Sequence, residues 1–572
     1  MAKLRIVGIH DNHDASVCLL EDGMLKFAVE EERLIRQKNY SGFPYNGLQT
    51  LLTYNDLTMN DIDFFAFNFK HNPVQYTKAG LLEWYSESGT LKSKAVDIFR
   101  RTPFFNLYKN RARKVRLKQI RKAGIPLKKV VFVDHHLAHA CAAYYGSFYD
   151  KYDDKVLVLT LDGGGDGLCS TVYVGENDSL TRIAQTEEGH SIGNIYARAT
   201  FYMGMTPLEH EYKLMGMAPY AKREYYAQTY EKLHSMLDVD GLVFKRRTWF
   251  STFECYPFLK KTFERERFDN VTGALQDFTE DLMIEWVKNA VKKTGIRSLA
   301  VGGGSFMNVK ANKRIMELDE VKNLFVFPSC GDESCAIGAA FEVYSQMCKD
   351  SGTEINTRIA DLYKGPDYSD NEIEAELKKV AQSNEIDYSR SKEVEKWVAE
   401  MLAENEAVAR FNGRVEFGAR ALGNRSILAN GSDFLNVRFL NEAVKQRDFW
   451  MPFAPSILKE AQQDYLVNPK NVEAPYMILA FDTTEKRNDI VAAIHPADQT
   501  ARPQVVSTDL NPEYHHLLKM YEQLTGFGGL LNTSFNLHGE PIVCSPKDAL
   551  HTFINSGLKY LAMSDFVISK NK

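Results

Sequence analysis

Three histidines fall within the short stretch VDHHLAHACAAYYGSFYD, which runs from Val133 to Asp150. The apolar run KKVVFVD before it predicts a strand, and Asp134 is suited to cap a following helix. Residues four apart share a helix face, so His135 and His139 point the same way while His136 is turned aside. Two imidazoles one turn apart can hold one divalent cation, and no glutamate follows His135 as a HExxH protease site would require. A surface or cleft cluster of histidines fits the same spacing, so the pair alone leaves both readings open.

Two carboxylates could complete such a site. Asp162 ends the apolar run KVLVLTLD before a Gly-Gly-Gly turn, and Asp332 lies between the apolar FVFP and the small-residue stretch CAIGAA. Each could equally be a cap or turn residue. Two imidazoles with two carboxylates suit iron(II), manganese or zinc, ions that bridge phosphate oxygens and act as Lewis acids. His13, in the polar turn HDNHDAS, could act as a base near neutral pH or merely cap the turn.

These residues need elements to carry them. LRIVGIHDNHDASVCLLEDGMLKFAVE reads as strand, polar turn and strand, with Asp22-Gly23 closing a hairpin into a third strand. DKVLVLTLDGGGDGLCSTVYVGENDSLTRIAQT has the same layout. The two form a weak internal repeat that would set one polar turn on each wall of a cleft. A third unit, RSLAVGGGSFMNVKANKRIME, passes from a strand through Gly302, Gly303 and Gly304 to a helix. Such a turn can bring backbone N–H groups and a helix N-terminus to a phosphate, and it can also be plain strand–helix packing. Asn308 stands at the start of that helix.

The chain has 572 residues, so two or more domains are expected. From 352 to about 393 it turns polar and rich in turn residues, marking a junction, with VEKWVAEMLAENEAVARF opening a second module. Residues 1–355 and 356–572 are the two domains this predicts. Hydrophobic residues at 44%, charged residues at 25% and a net charge of −5 are those of a globular enzyme and argue against a general nucleic-acid binder. Eight scattered cysteines without a CxxC pair argue against a zinc ribbon and for reduced thiols. With no signal peptide or long apolar run, a cytoplasmic location is expected. The segment of about 98–130 is strongly basic. It reads as a solvated helical insertion, or as a surface that docks at a membrane or on a lipid-linked acceptor.

Six motifs in fixed order then give the chain a resemblance: HHLAHACAAYY, EYKLMGMAPYA, VGGGSFMN, FGARALGNRSIL, FWMPFAPSIL and LLNTSFNLHGEPIVCSP. Together they resemble the nodulation-factor and antibiotic O-carbamoyltransferases over essentially the full length. The resemblance implies an α/β and α+β fold: a duplicated ribonuclease-H-like N-terminal domain of the actin-like ATPase superfamily, followed by a YrdC-like domain. It implies that the second domain makes carbamoyladenylate from carbamoyl phosphate and ATP, with Mg expected alongside ATP. The first domain would pass the carbamoyl group to a hydroxyl of a glycan or small molecule at a divalent metal, usually Fe(II).

Carried onto this sequence, the resemblance makes His135, His139, Asp162 and Asp332 the metal ligands and His13 the catalytic histidine. It directs Arg420, Arg425, Lys445, Arg447 and Arg502 to carbamoyl phosphate and ATP, since guanidinium forks suit phosphate. Asn532 and Ser534 would offer neutral hydrogen bonds to the carbamoyl amide. Lys213, Gly302, Gly303, Gly304 and Asn308 would meet the nucleotide in the first domain. The GGGDG turn after Asp162 is richer in glycine than in some members, and the basic insertion also differs. An actin-like kinase would share the hairpins without the HxxxH pair. A threonylcarbamoyl tRNA enzyme would share the first domain. A homodimer is the default assembly.

Overall fold

The computed structural model describes residues 3–70, 77–100, 102, 105–147, 155–382 and 385–571. It divides into two units. The first comprises 1–31 and 39–359, the second 32–38 and 360–572. The short segment 32–38 thus leaves its sequence neighbours and folds with the second unit, which no boundary at 355/356 foresees.

The first unit holds two five-stranded sheets. One contains β1 (Arg5–His10), β2 (Ser16–Glu21), β3 (Met24–Glu30), β4 (Phe64–Asn68) and β5 (Val130–Val133), in the order β3-β2-β1-β4-β5. The other contains β6 (Val156–Gly165), β7 (Leu168–Glu176) and β8 (Ser179–Glu187). A separate hairpin, β9 (Leu237–Asp240) and β10 (Val243–Arg246), follows in the chain before β11 (Ser298–Gly302) and β12 (Asn323–Val326) complete this second sheet. Its order is β12-β11-β6-β7-β8. In each sheet the first three strands run antiparallel and the last two join in parallel. The repeat suggested by the two hairpin runs is therefore a repeat of whole sheets.

Turn chemistry sets the hairpins. Asp22 and Gly23 both take positive φ (51° and 80°), as do Asp166 and Gly167 (51° and 93°), the pairing that suits a two-residue hairpin turn. The second turn lies beyond the expected one: β6 runs on through Gly163–Gly165, with an irregularity in its pairing, so Asp162 sits inside a distorted strand.

The helix Cys335–Ser351 packs on the helix His135–Gly146 and on the first sheet. Its face toward them is small: Ala336, Ala339 and Ala340 are fully buried. The basic insertion contains the helix Phe105–Lys122; residues 101, 103 and 104 lie outside the described part. The reading of this helix as solvated fails at Arg116, which is buried at 2% exposure and paired with the buried Asp11. Among the described residues no helix is long and apolar enough to cross a membrane.

The second unit is built on one sheet of β13 (Ile386–Arg390), β14 (Val408–Phe411), β15 (Arg425–Ala429), β16 (Ala454–Leu458), β17 (Gln504–Val506), β18 (Gly529–Ser534), β19 (Tyr560–Met563) and β20 (Phe566–Lys570), in the order β13-β20-β19-β14-β15-β18-β16-β17. The polar stretch before residue 393 is not only a linker. Ser369 and Glu372 form a capping box for the helix Asp370–Ala381, and β13 is an edge strand of the sheet.

Candidate metal and anion sites

His135 and His139 are both fully buried on one face of their helix, and Asp134 caps it by accepting from the Leu137 N–H at 3.0 Å. Each directs Nε2 to the same place. Asp162 Oδ2 lies 3.1 Å from His135 Nε2 and 3.3 Å from His139 Nε2; Asp332 Oδ1 lies 3.8 and 3.5 Å from the same two atoms. The four residues nominated from sequence therefore converge. Ligands held about 2.1 Å from a small divalent ion stand roughly 3.0–3.4 Å apart; the Asp162 contacts fall in that range and those of Asp332 lie slightly beyond it, in a donor set suited to such an ion. Burial opposes charge on both imidazoles. Cys335 and the two carboxylates nevertheless hold their pKa values well above the ordinary histidine range.

Cys335 was not foreseen. Its sulfur belongs to a compact group with His135, His139 and Asp332. It approaches His135 from the Nδ1 side, at 3.9 Å, whereas the carboxylates face Nε2. The sulfur thus faces the opposite edge of the His135 ring from the carboxylates. The Asp-x-x-Cys spacing was the only sequence signal for it.

His136 has another task. Its Nε2 donates to the Leu168 carbonyl at 3.0 Å and its Nδ1 accepts from the Thr160 hydroxyl at 2.8 Å. Burial, with His135 and His139 nearby, pushes its pKa down to about 3.

His13 is half-buried in the turn after β1, with Nδ1 2.8 Å from Asp14. Burial works against its charge, but Asp14, Asp332 and Glu211 outweigh that and raise its pKa to about 9. Glu211, from the EYKLMGM motif, is raised by burial to about 7. Sequence reading passed it over for Lys213, which is half-buried two residues on.

The glycine run abuts the same centre. Gly303 has a φ of 100°, and Gly304 would set a Cβ 3.1 Å from Asp162 Oδ1. Gly302 packs on the carbonyl of His139, where a Cβ would come within 3.0 Å. At Gly303 a Cβ would clash with the Leu161 carbonyl of β6, and at Gly302 and Gly304 it would sit tightly against His139 and Asp162. Asn308 caps the helix Val309–Glu317 by accepting from Ala311 N–H at 3.1 Å, and its amide is paired with Gln276 at 2.9 and 3.1 Å.

In the second unit, burial and two nearby arginines, Arg420 and Arg447, hold Arg502 well below the ordinary arginine range. Lys445 is buried and lowered in the same way, with Arg447 and Lys38 as its charged neighbours. Its ammonium donates to neutral oxygens only among its hydrogen bonds: Asn536 Oδ1 at 2.7 Å, Ser534 Oγ at 3.2 Å and the Ser534 and Asn536 carbonyls. Cations that destabilise one another in a desolvated place are stabilised by a bound polyanion.

Arg425 is the exception among the nominated arginines. It is fully buried over the Phe411 ring at 3.6 Å and donates to the carbonyls of Asn412, Gly413 and Asn424. Its Nη1 and Nη2 groups tie loops together, while its buried Nε has no hydrogen-bond partner among the described residues. The Asn532 amide nitrogen donates within the sheet to Ala421 O, Ser456 Oγ and Gln504 Oε1, while its buried Oδ1 has no hydrogen-bond partner among the described residues. Ser534 remains beside Lys445.

Comparison with known proteins agrees with this division. Residues 5–341 match the family model described as carbamoyltransferase N-terminus, and residues 399–570 match carbamoyltransferase C-terminus. The chain belongs to the carbamoyltransferase family. This carbamoyltransferase is 31% identical to nodulation protein NolNO of Sinorhizobium fredii, over 98% of its own length and 79% of that protein. It is 33% identical to nodulation protein NolO of Bradyrhizobium diazoefficiens, over 77% and 79% of the two chains. Nodulation protein U of Sinorhizobium fredii matches at 26% over 94% of each. The enzyme is an O-carbamoyltransferase.

Proposed function

We propose that this O-carbamoyltransferase is ATP-dependent. Its second unit would form carbamoyladenylate from carbamoyl phosphate and ATP, and its first unit would transfer the carbamoyl group to a hydroxyl of a glycan or other small acceptor. The reading is supported above all by the approach of two carboxylates to two imidazole Nε2 atoms at 3.1–3.8 Å. The repeated β3-β2-β1-β4-β5 strand order also supports a duplicated ribonuclease-H-like first unit.

A divalent cation, with Fe(II) the first choice and Mn or Zn as alternatives, would supply Lewis acidity toward the adenylate phosphate and the carbamoyl oxygen. His135, His139, Asp162 and Asp332 would hold it. Asp14 first, then Asp332 and Glu211, favour the protonated form of His13. His13 would take the proton of the acceptor hydroxyl, with Asp14 beside its Nδ1 to stabilise the imidazolium that forms. Glu211, also close to neutrality, would exchange charge with it. AMP leaves.

In the second unit, Arg420, Arg447, Arg502 and Lys445 would bind the phosphates, with Mg accompanying ATP. Ser534, held beside Lys445, would meet the carbamoyl group, while Arg425 and Asn532 keep the walls in shape. The test is ATP–pyrophosphate exchange that depends on carbamoyl phosphate, measured beside transfer to an acceptor. His139→Ala should keep exchange and lose transfer; Arg502→Ala should lose both. Equal loss of exchange in both folded variants would refute the division of labour.

A further inference from the structure

His135 is positioned from behind. Phe69 stacks flat on its ring, with centroids 4.5 Å apart and planes 19° apart. The Asn68 amide lies 3.4 Å from its Nδ1, and the other end of that amide is 2.8 Å from His10 Nδ1. His10 Nε2 in turn lies 2.6 Å from the main-chain oxygen of His13. His10, Asn68 and His135 are all wholly buried. The backbone that presents Asn68 and Phe69 is pinned by Arg116, which donates to both their carbonyls at 2.7 Å and to Asp11 at 2.6 and 2.8 Å. Phe69 sits at a φ of 66°, unfavourable for a bulky residue, so this grip on its carbonyl holds a conformation that the chain would not choose alone.

The direction of these hydrogen bonds follows from the one partner without a choice. A carbonyl oxygen only accepts, so His10 Nε2 carries a hydrogen. Neutral His10 then has its lone pair on Nδ1, and the group facing it must donate: the Asn68 NH2. That leaves Asn68 Oδ1 toward His135, where it accepts the hydrogen on Nδ1. His135 so fixed has its lone pair on Nε2, on the side of Asp162 and Asp332, which is the state a metal ligand needs. In the structure Oδ1 is the amide atom nearer His10 and Nδ2 the one nearer His135. A half-turn of the amide exchanges the two without changing its shape. The setting before that turn asks for hydrogens on both nitrogens of buried His10.

We propose that Asn68 is the positioning residue of the metal centre: with its amide turned so that Nδ2 bonds His10 and Oδ1 bonds His135, it fixes the tautomer of His135 and ties it through His10 to the His13 turn. This rests on the metal reading given above.

The experiment is Co(II) titration of the metal-free full-length enzyme, followed by ligand-field absorption. Asn68→Leu, which removes both hydrogen bonds, should bind Co(II) about 10- to 100-fold more weakly than wild type. Asn68→Asp, which still offers His135 an acceptor, should recover most of that loss. In a His135→Ala background, Asn68→Leu should cost nothing further. Wild-type affinity in folded Asn68→Leu, or equal losses in the Leu and Asp variants, would overturn the proposal while leaving the metal site standing. Failure of the wild type to bind Co(II) would instead remove the metal reading and this inference with it. Should Asn68→Leu not fold, 15N spectra of the histidine-labelled Zn(II) enzyme decide: hydrogen on His135 Nδ1 supports the proposal, and its absence defeats it.

Discussion

Gly338 lies directly against the carbonyl of Ala138, so close that a Cβ on Gly338 would overlap the Ala138 oxygen. This contact lets the helix Cys335–Ser351, with Asp332 just before it, approach the helix that carries His135 and His139. Asp332 reaches within 3.5 Å of His139 because nothing larger than hydrogen separates the two backbones.

Gly338→Ala should therefore do two things. Overpacking at a helix contact costs about 1–3 kcal/mol, which calorimetry would show as a lowered transition of the first unit. Metal content after purification should also fall, because Asp332 is pushed away from the imidazoles. A variant that melts lower but holds metal as well as wild type would separate the two effects and deny the link.

The segment 32–38 predicts a second effect. Arg33 is 1% exposed and donates to the carbonyl of Gly418, at the start of the loop that bears Arg420; Arg36 donates to Ile542 O at 2.7 Å and Pro541 O at 2.9 Å. Arg33→Ala in the full chain should weaken the second unit by about 2 kcal/mol, the worth of a charged hydrogen bond lost from a buried site. Hydrogen exchange at residues 413–425 should rise, and ATP–pyrophosphate exchange should fall.

Pyrophosphate should raise the melting temperature of the wild-type enzyme, since it relieves the mutual repulsion of Arg420, Arg447, Arg502 and Lys445. The rise should grow with the logarithm of ligand concentration. Arg502→Gln should lose most of that rise and melt, without ligand, no lower than wild type, because it removes a crowded cation. A ligand-independent drop would mean that Arg502 is structural.

Acid stability should report on His136. Its pKa falls from 6.5 unfolded to about 3 folded, so between those values the unfolded chain binds a proton that the folded one refuses. The stability is present above pH 6.5 and is lost as pH falls toward 3. His136→Gln should flatten the dependence of the urea midpoint on pH by about one proton in this window.

His13 works with the opposite sign. Its pKa rises from 6.5 to about 9 on folding of the metal-free protein, so its contribution is complete below 6.5 and is lost as pH rises toward 9. His13→Gln should remove that alkaline slope. Adding metal should also reduce it, if Asp332 is one of the groups that holds the proton.

The four residues proposed as metal ligands were legible because each sits at a place where local sequence rules speak clearly. A helix period puts His135 and His139 together, and apolar runs that break at an aspartate mark strand and helix ends at Asp162 and Asp332. The hairpin pairs Asp22-Gly23 and the repeated strand pattern disclosed half of each sheet for the same reason: their contacts are local. What stayed hidden depends on partners distant in the chain. Arg425 and Asn532 read as ligand-binding residues, yet the fold also gives both of them structural hydrogen bonds to backbone carbonyls and to neighbouring strands. Arg116 looked like one more solvated charge in a basic run, yet it is buried against Asp11, over a hundred positions away. Residue type and spacing determined which groups could do the chemistry. The tertiary structure alone decided which donors and acceptors remained for a ligand, because a hydrogen-bonding group is spent or kept according to what is packed beside it.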